Sequence, residues 1–293
     1  MRSSWRLAPV IAAFAVFATW AAPAALAAQA AAESKDYTPS VGQEGKDVIW
    51  VPTPDSLVER MLKMAGTKPT DYVIDLGSGD GRTVIAAVKK FGARAMGVEY
   101  NPDMVELSKR NAAKEGVGDK AQFVRGDIFE TDFTQATVLT MYLLPSLNLK
   151  LRPTILNLKP GTRVVSHAFT MDDWKPDQTD ASEGRTAYMW IVPAKVQGAW
   201  RIEVAGGAPR VYEGKLDQQY QDVQGSLKAD NKALLVRNGK LRGDAITFAV
   251  SEDGKSIREF TGRVSGDRME GTTKTAGAAG EAKWTAVRVG GGR

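Results

Sequence analysis

Between residues 72 and 169 the chain alternates short, continuously apolar runs with longer stretches whose apolar positions recur every three or four residues. The runs Tyr72 to Leu76, Arg94 to Glu99, Gln122 to Arg125, Thr137 to Leu143 and Arg163 to Phe169 predict strands. Such runs suit a parallel sheet covered on both faces. Helices are predicted between them at Arg82 to Phe91, Pro102 to Glu115 and Leu147 to Leu158, the first carrying Val84, Ile85 and Val88 on one face. A further helix precedes the series. Thr53-Pro54-Asp55 offers a hydroxyl for the N-cap, proline at the first helical position and an acid in the first turn. Leu57, Val58, Met61, Leu62 and Met64 then share a face, and Gly66 ends it. The alternation of strand and helix predicts a doubly wound α/β domain.

Beyond about Val192 the texture changes to short alternating runs, among them Trp200-Arg201-Ile202-Glu203-Val204, Ala245-Ile246-Thr247-Phe248-Ala249-Val250 and Trp284-Thr285-Ala286-Val287-Arg288. Asn238-Gly239, Asp253-Gly254 and Gly266-Asp267 read as hairpin turns, and no run is long and apolar enough for a core helix. This region predicts a small antiparallel β meander or barrel, with a weak internal similarity joining Gly243-Asp244 to Gly266-Asp267. Trp190, Trp200 and Trp284 are expected in the core. The chain thus divides into a leader over 1–27, a flexible lead-in over 28–47, the α/β domain over 48–194 and the β-rich domain over 195–293.

Composition alters this picture little, since 43% hydrophobic and 25% charged residues are ordinary for a globular protein. The net charge of +5, or +3 once Arg2 and Arg6 leave with the leader, is interspersed with acids, so no nucleic-acid partner is expected. With no cysteine and one histidine, His167, disulfides, thiolate chemistry and a His/Cys zinc site are excluded, and no metal is expected. The leader alters more. Met1-Arg2-Ser3-Ser4-Trp5-Arg6 places positive charge ahead of an apolar run from Leu7 to Leu26, and Ala25-Leu26-Ala27 supplies the small residues of a cleavage site. A signal peptide and a periplasmic or secreted body are expected. The alternative is an uncleaved N-terminal membrane anchor, because about 20 apolar residues span a bilayer. Either way the arginines stay inside and the body lies outside the cytoplasm, with membrane association through the leader only. Adjacent arginines are missing, which favours export as an unfolded chain.

Candidate chemistry concentrates in Val73-Ile74-Asp75-Leu76-Gly77-Ser78-Gly79-Asp80-Gly81-Arg82, where an apolar strand runs into glycines at every second position. A turn without side chains lets a nucleotide-like ligand rest on bare backbone. A dinucleotide turn reads G-x-G-x-x-G, and here Arg82 stands where its third glycine would open the helix. At the end of the second predicted strand Glu99 offers a carboxylate to both hydroxyls of a ribose. The spacing therefore predicts a nucleoside ligand without a pyrophosphate.

The glycine turn, Glu99, and Asp127 in Arg125-Gly126-Asp127-Ile128-Phe129 together resemble class I S-adenosylmethionine-dependent methyltransferases. The resemblance implies a Rossmann-like sheet and S-adenosylmethionine as cofactor. It implies that Gly77, Ser78, Gly79 and Gly81 lie under the methionine part, that Glu99 binds ribose and that Asp127 lies beside the adenine amine. Asp75 would orient the turn and the cofactor's amino acid moiety. More narrowly, Asp75 to Arg82 followed by Glu99-Tyr100-Asn101-Pro102 is similar to the lysine methyltransferases acting on the mitochondrial adenine nucleotide translocase and ATP synthase c subunit, and to their bacterial relatives. Val51-Pro52-Thr53-Pro54, Tyr142-Leu143-Leu144-Pro145-Ser146 and Leu149-Lys150-Leu151-Arg152-Pro153 belong to the same pattern. The resemblance spans roughly Val51 to Trp190, leaves the C-terminal region unexplained, and implies a protein lysine as acceptor. Enzymes that methylate planar amides or adenine amines carry Asn/Asp-Pro-Pro-aromatic after the fourth strand. Met141-Tyr142-Leu143-Leu144-Pro145 departs from that, which argues against nucleic-acid amine or glutamine acceptors.

Transfer from a sulfonium needs an aligned, deprotonated nucleophile and exclusion of water more than it needs a strong base. Tyr142 is a candidate to face the incoming ammonium group, with a packing role as the alternative. His167 is a candidate general base at the carboxyl edge of the sheet, or a structural histidine. Asp172, Asp173 and Trp174 form a candidate lid, or a solvated turn, and Tyr37 and Trp50 are candidates to cover the cofactor from the N-terminal side. A rival reading is an exported, non-catalytic nucleoside- or ligand-binding protein with a vestigial methyltransferase fold. An O- or small-molecule N-methyltransferase is a third. Export also stands in tension with the cofactor, which is made in the cytoplasm.

Overall fold

The computed structural model describes residues 37–206, 210–251, 256–277 and 280–290. The leader, the lead-in as far as residue 36 and the expected Asp253-Gly254 turn lie outside the described residues. The sheet and barrel described here belong to one compact unit, Pro39–Arg293, whereas Tyr37 belongs to the other, Met1–Thr38.

Strands β1 (Tyr72–Leu76), β2 (Arg94–Glu99), β3 (Ala121–Arg125), β4 (Val138–Met141) and β5 (Arg163–His167) pair in parallel. Helix α1 (Asp55–Met64) precedes them, and α2 (Arg82–Phe91), α3 (Pro102–Lys114) and α4 (Pro145–Ile155) cross between them. With β6 (Gln178–Ser182) and β7 (Arg185–Ile191) the sheet has the order β3-β2-β1-β4-β5-β7-β6. The winding reverses between β1 and β4, and ligands of open α/β sheets bind beyond the carboxyl ends of the strands at such a point. The period of two explains the coverage of both faces. Val73 and Val165 pack with Leu57, Val84 and Val105 of α1 to α3. Their neighbours Ile74 and Val164 point the other way, toward Leu151 and Ile155 of α4.

Two features of the sheet and of its first helix differ from the sequence expectation. β6 and β7 form an antiparallel hairpin that completes the sheet beside β5. The outer strand β6 is polar and mostly exposed, so it has no hydrophobic period to read. Thr53 does not cap α1. Pro54 is the N-cap and no side chain bonds the first turn, while Thr53 Oγ1 lies 3.1 Å from Nδ1 of His167. Asn101 does cap α3, its Oδ1 accepting the N–H of Asp103 at 2.9 Å and of Met104 at 3.4 Å.

Eight further strands form a closed antiparallel barrel. They are β8 (Gly198–Val204), β9 (Arg210–Gln219), β10 (Asp222–Ala229), β11 (Lys232–Arg242), β12 (Ala245–Ser251), β13 (Ile257–Ser265), β14 (Arg268–Thr275) and β15 (Ala282–Val289). Alternation turns Trp200, Tyr212, Phe248, Phe260 and Trp284 inward. Phe248 and Phe260 stack at 4.5 Å, and Trp284 meets them edge-on at 5.9 and 5.6 Å. Side chains thus fill the barrel, as its size allows. At Gly262 a Cβ would stand 2.3 Å from the Glu270 carbonyl oxygen and 2.5 Å from the Trp284 ring, so the strand needs a bare Cα there. Gly266-Asp267 is a turn as expected, and Gly243-Asp244 is a turn as well. Asn238-Gly239 instead lies inside β11 at a shift of register, where a bulge takes up the residues that suggested a turn. Trp190, Trp200 and Trp284 are buried. No helix among the described residues is long and apolar enough to cross a membrane.

Candidate active site

The turn after β1 is built for close approach. Gly77, Gly79 and Gly81 all adopt left-handed backbone, with φ of 75°, 54° and 82°, which residues bearing a Cβ rarely enter. A Cβ at Gly79 would lie 2.6 Å from the indole nitrogen of Trp50, and one at Gly81 would lie 2.7 Å from the Phe123 ring. The N–H groups of Gly77 and Ser78 donate to the Val98 carbonyl at 2.9 and 3.0 Å, and Ser108 Oγ donates to the Gly79 carbonyl at 2.8 Å. Arg82, standing where a dinucleotide motif has glycine, pairs with Asp80 at 2.6 Å and donates to the Thr53 carbonyl at 3.0 Å. It thereby ties the start of α1 to the turn.

The acids converge on this turn from successive strand ends. Glu99, closing β2, accepts the Gly79 N–H through Oε2 and the Asn101 N–H through Oε1, both at 2.9 Å. Its carboxylate therefore faces the glycines. Asp127, after β3, accepts the Phe129 N–H at 2.9 Å and pairs with Lys46. Lys46 and that N–H hold its carboxyl below the usual carboxylate range. Asp75 lies 6% exposed in β1 and accepts a hydrogen bond from Thr140 Oγ1 at 2.6 Å. Burial, reinforced by the charges of Glu99 and Asp80, raises its pKa to about 7 against the hydrogen bonds from Thr140 and Thr83.

This shift predicts a pH dependence. The unfolded chain ionises Asp75 near the ordinary carboxylate pKa of about 3.9, whereas the folded chain holds the proton until about 7. The folded state therefore binds more protons between these values, and the contribution of Asp75 to stability declines as pH rises through that window. Asp75→Asn keeps an acceptor for Thr140 and removes the ionisation. In melts from pH 5 to pH 8 the wild type is expected to lose stability relative to the variant, and a constant difference would overturn the assignment.

A cavity of about 640 Å³ opens over the turn, lined by Asp75, Gly77, Ser78, Gly79, Glu99 and Asp127 among others. This is the usual size of a small-molecule site. Gly81 is not on the wall. It caps α2 and packs against Phe123 and Ser108, so its place in the motif is structural. Ser78 lines the cavity, but its hydroxyl turns toward Gly97, where a Cβ would stand only 2.5 Å away.

Residues 40–50 form part of the wall opposite. The sequence up to Asp47 suggested a flexible lead-in, yet Glu44 bridges Ile49, and the Trp50 N–H donates to the Gln43 carbonyl at 2.9 Å. This hairpin lays the Trp50 indole on Gly79 and carries Lys46 to Asp127 and over the Tyr100 ring, 5.0 Å from its centroid. Lys46 escaped sequence reasoning because its partner is 81 residues away. Gly45, where a Cβ would meet the Val48 carbonyl oxygen at 2.4 Å, was the local signal for a tight turn.

At the β4 and β5 end the wall is aromatic and apolar. Tyr142, Leu143, Leu144, Leu147 and Phe169 line it, the rings of Tyr142 and Phe169 lying nearly parallel at 6.1 Å. His167 stands behind Tyr142, 2% exposed, its ring 3.8 Å from the tyrosine ring and its Nδ1 engaged by Thr53. Burial, aided by the charge of Arg185, lowers its pKa to about 4, so the imidazole is neutral near pH 7. It does not itself line the cavity; Thr53 and Tyr142, which do, stand against it. Trp174 is wholly buried and forms no lid.

Residues 75–178 match the model of the ANTKMT methyltransferase domain. A protein-lysine N-methyltransferase of Saccharolobus islandicus (strain REY15A) is 42% identical over 151 residues, which span 50% of this chain and 94% of that protein. The chain belongs to the ANTKMT methyltransferase family. The lysine N-methyltransferase of the ATP synthase c subunit from Rattus norvegicus is 33% identical over 51% of this chain and 69% of that protein. A solved RNA methyltransferase from Salinibacter ruber in complex with S-adenosyl-L-homocysteine is 51% identical, covering 50% of this chain and 96% of that one, with a TM-score of 0.49. As a member of this family the chain is an S-adenosylmethionine-dependent methyltransferase. The residues present fit that cofactor: Gly77 and Gly79 line the cavity without side chains, and Glu99, whose carboxylate accepts the Gly79 N–H, lines it beside them.

Proposed function

We propose that this methyltransferase modifies lysine side chains of proteins. The observation that carries the reading is the aromatic, leucine-lined end of the cavity, where the Tyr142 and Phe169 rings stand 6.1 Å apart. Such a wall suits the apolar stem of a lysine and attracts its ammonium head to the ring faces. What the named relatives methylate supports the same reading. Gly77 and Gly79 would bear the methionine part of the cofactor, Asp75 its amino group, Glu99 the ribose and Asp127 the adenine. When bound, the cofactor supplies a methyl group activated by its sulfonium. The protein's own residues align the acceptor, with Tyr142 and Phe169 on one wall and the hairpin that carries Lys46 and Trp50 contributing to the lining.

Incubating the full chain with methyl-labelled S-adenosylmethionine and a protein and RNA extract tests this. Label recovered as methyl-lysine is expected; label confined to RNA, to carboxylates or to small molecules overturns the lysine assignment. The leader supports export to the periplasm or beyond, or retention as an N-terminal anchor with membrane contact through that segment. Cell fractionation with N-terminal sequencing decides this, and a cytoplasmic chain beginning at Met1 would reject it.

A further inference from the structure

The family match ends at residue 178 and leaves the barrel without a role. The barrel nevertheless touches a loop that reaches the cavity wall. Residues 168–177 connect β5 to β6. Near its start the loop carries Phe169 onto the wall, and four to six residues later it meets the tip of the β9–β10 hairpin. That tip is Tyr220-Gln221. The Tyr220 hydroxyl donates to Asp173, 3.0 Å from each carboxylate oxygen. Gln221 Nε2 donates to the Lys175 carbonyl at 2.9 Å. The Tyr220 ring stacks on Trp174 at 5.8 Å and 15°.

These contacts continue into the methyltransferase half. Trp174 is fully buried, and its carbonyl accepts the Trp190 indole N–H at 2.8 Å. Arg152 of α4 donates to the Met171 carbonyl at 2.9 Å and to Asp173 at 2.5 Å, with its guanidinium 5.5 Å from the Tyr220 ring centroid. Asn148 of the same helix donates to the carbonyls of Phe169 and Thr170 at 3.4 and 3.3 Å. The loop is thus gripped from both sides, by α4 and by the barrel. It also carries backbone strain at two non-glycine residues, Ala168 with φ 62° and Asp172 with φ 58°. Tyr220 is itself left-handed, with φ 54°, a conformation that bulky residues adopt only when their surroundings enforce it. A strained loop holds one shape only under such restraint.

We propose that the barrel is a brace for the acceptor site, its hairpin tip Tyr220-Gln221 fixing the 168–177 loop and so positioning Phe169 against Tyr142. Tyr220 is a positioning residue, and its effect on the acceptor rests on the reading that the acceptor enters beside Tyr142 and Phe169. The test compares full-length wild type with Tyr220→Phe, which removes only the hydroxyl, and Tyr220→Ala, which also removes the stack. Three measurements are made: amide hydrogen exchange, the affinity for S-adenosylhomocysteine, and the KM and kcat for a lysine-bearing acceptor protein. Exchange at residues 168–170, which Tyr220 does not touch, is expected to quicken about tenfold in Tyr220→Ala and less in Tyr220→Phe. Acceptor KM is expected to rise by a similar factor, while kcat and cofactor affinity change less than about twofold, since every 1.4 kcal/mol of lost restraint is one factor of ten.

Unchanged exchange at 168–170 in Tyr220→Ala overturns the brace, and so does faster exchange with an unmoved acceptor KM. Should Tyr220→Ala fail to fold, Tyr220→Phe and Gln221→Ala carry the same comparison. If the wild type labels no lysine, the lysine reading fails by itself, and exchange at 168–170 still decides the brace.

Discussion

Glu99→Ala is expected to weaken S-adenosylhomocysteine binding by about two orders of magnitude while leaving the fold intact. Hydrogen bonds to a charged carboxylate contribute roughly 1.5–3 kcal/mol each. Loss of two from a ribose therefore amounts to at least about 3 kcal/mol, or about a hundredfold in affinity. The turn should survive the substitution, because the Val98 carbonyl holds Gly77 and Ser78, and Ser108 holds the Gly79 carbonyl. Only the Gly79 and Asn101 N–H groups lose their acceptor, at a half-buried position where water can replace it. Glu99→Gln retains the shape without the charge and is expected to fall between. Calorimetric titration with thermal melts measures both parts. An affinity unchanged within twofold would show that the carboxylate does not grip the ligand.

Gly81→Ala is expected to lower the melting temperature of the methyltransferase half by about 6–12 °C. A left-handed φ of 82° costs an alanine roughly 1–2 kcal/mol. The new Cβ would also stand 2.7 Å from the Phe123 ring and 2.9 Å from Ser108 Cβ. Overpacking of that kind adds roughly 1–3 kcal/mol. The sum is about 3 kcal/mol, and each kcal/mol shifts the midpoint by about 2–4 °C in a protein of this size. Gly116→Ala is the control. Its φ is 67° with nothing within 4 Å of the added carbon, so only the strain remains and the shift should be about half as large. Equal shifts at the two positions would show that crowding at the start of α2 is not what requires glycine.

How much was legible follows from the range of each interaction. The parallel strands announced themselves because burial on both faces leaves uninterrupted apolar runs, and the Gly77-Ser78-Gly79 turn because bare backbone has a composition of its own. Glu99 was legible from its place at a strand end. By contrast, β6 is a polar edge strand, Thr53 is a cap by composition that bonds His167 instead, and Asn238-Gly239 is a bulge that resembles a turn. In each case a neighbour distant in sequence overrode a correct local preference. His167 was noticed as a lone base at the sheet's edge, and only packing shows Tyr142 lying between it and the cavity.

By itself the sequence determined the wound sheet, the glycine turn with its facing carboxylate and the β character of the last hundred residues, because these depend on period and backbone freedom within a few residues. Tertiary structure alone decided that Lys46 reaches Asp127, that the β strands close into a barrel, and that Tyr220 clasps the loop bearing Phe169. Those contacts join residues whose local patterns carry no information about one another, and only the packing of the folded chain brings their charges and rings together.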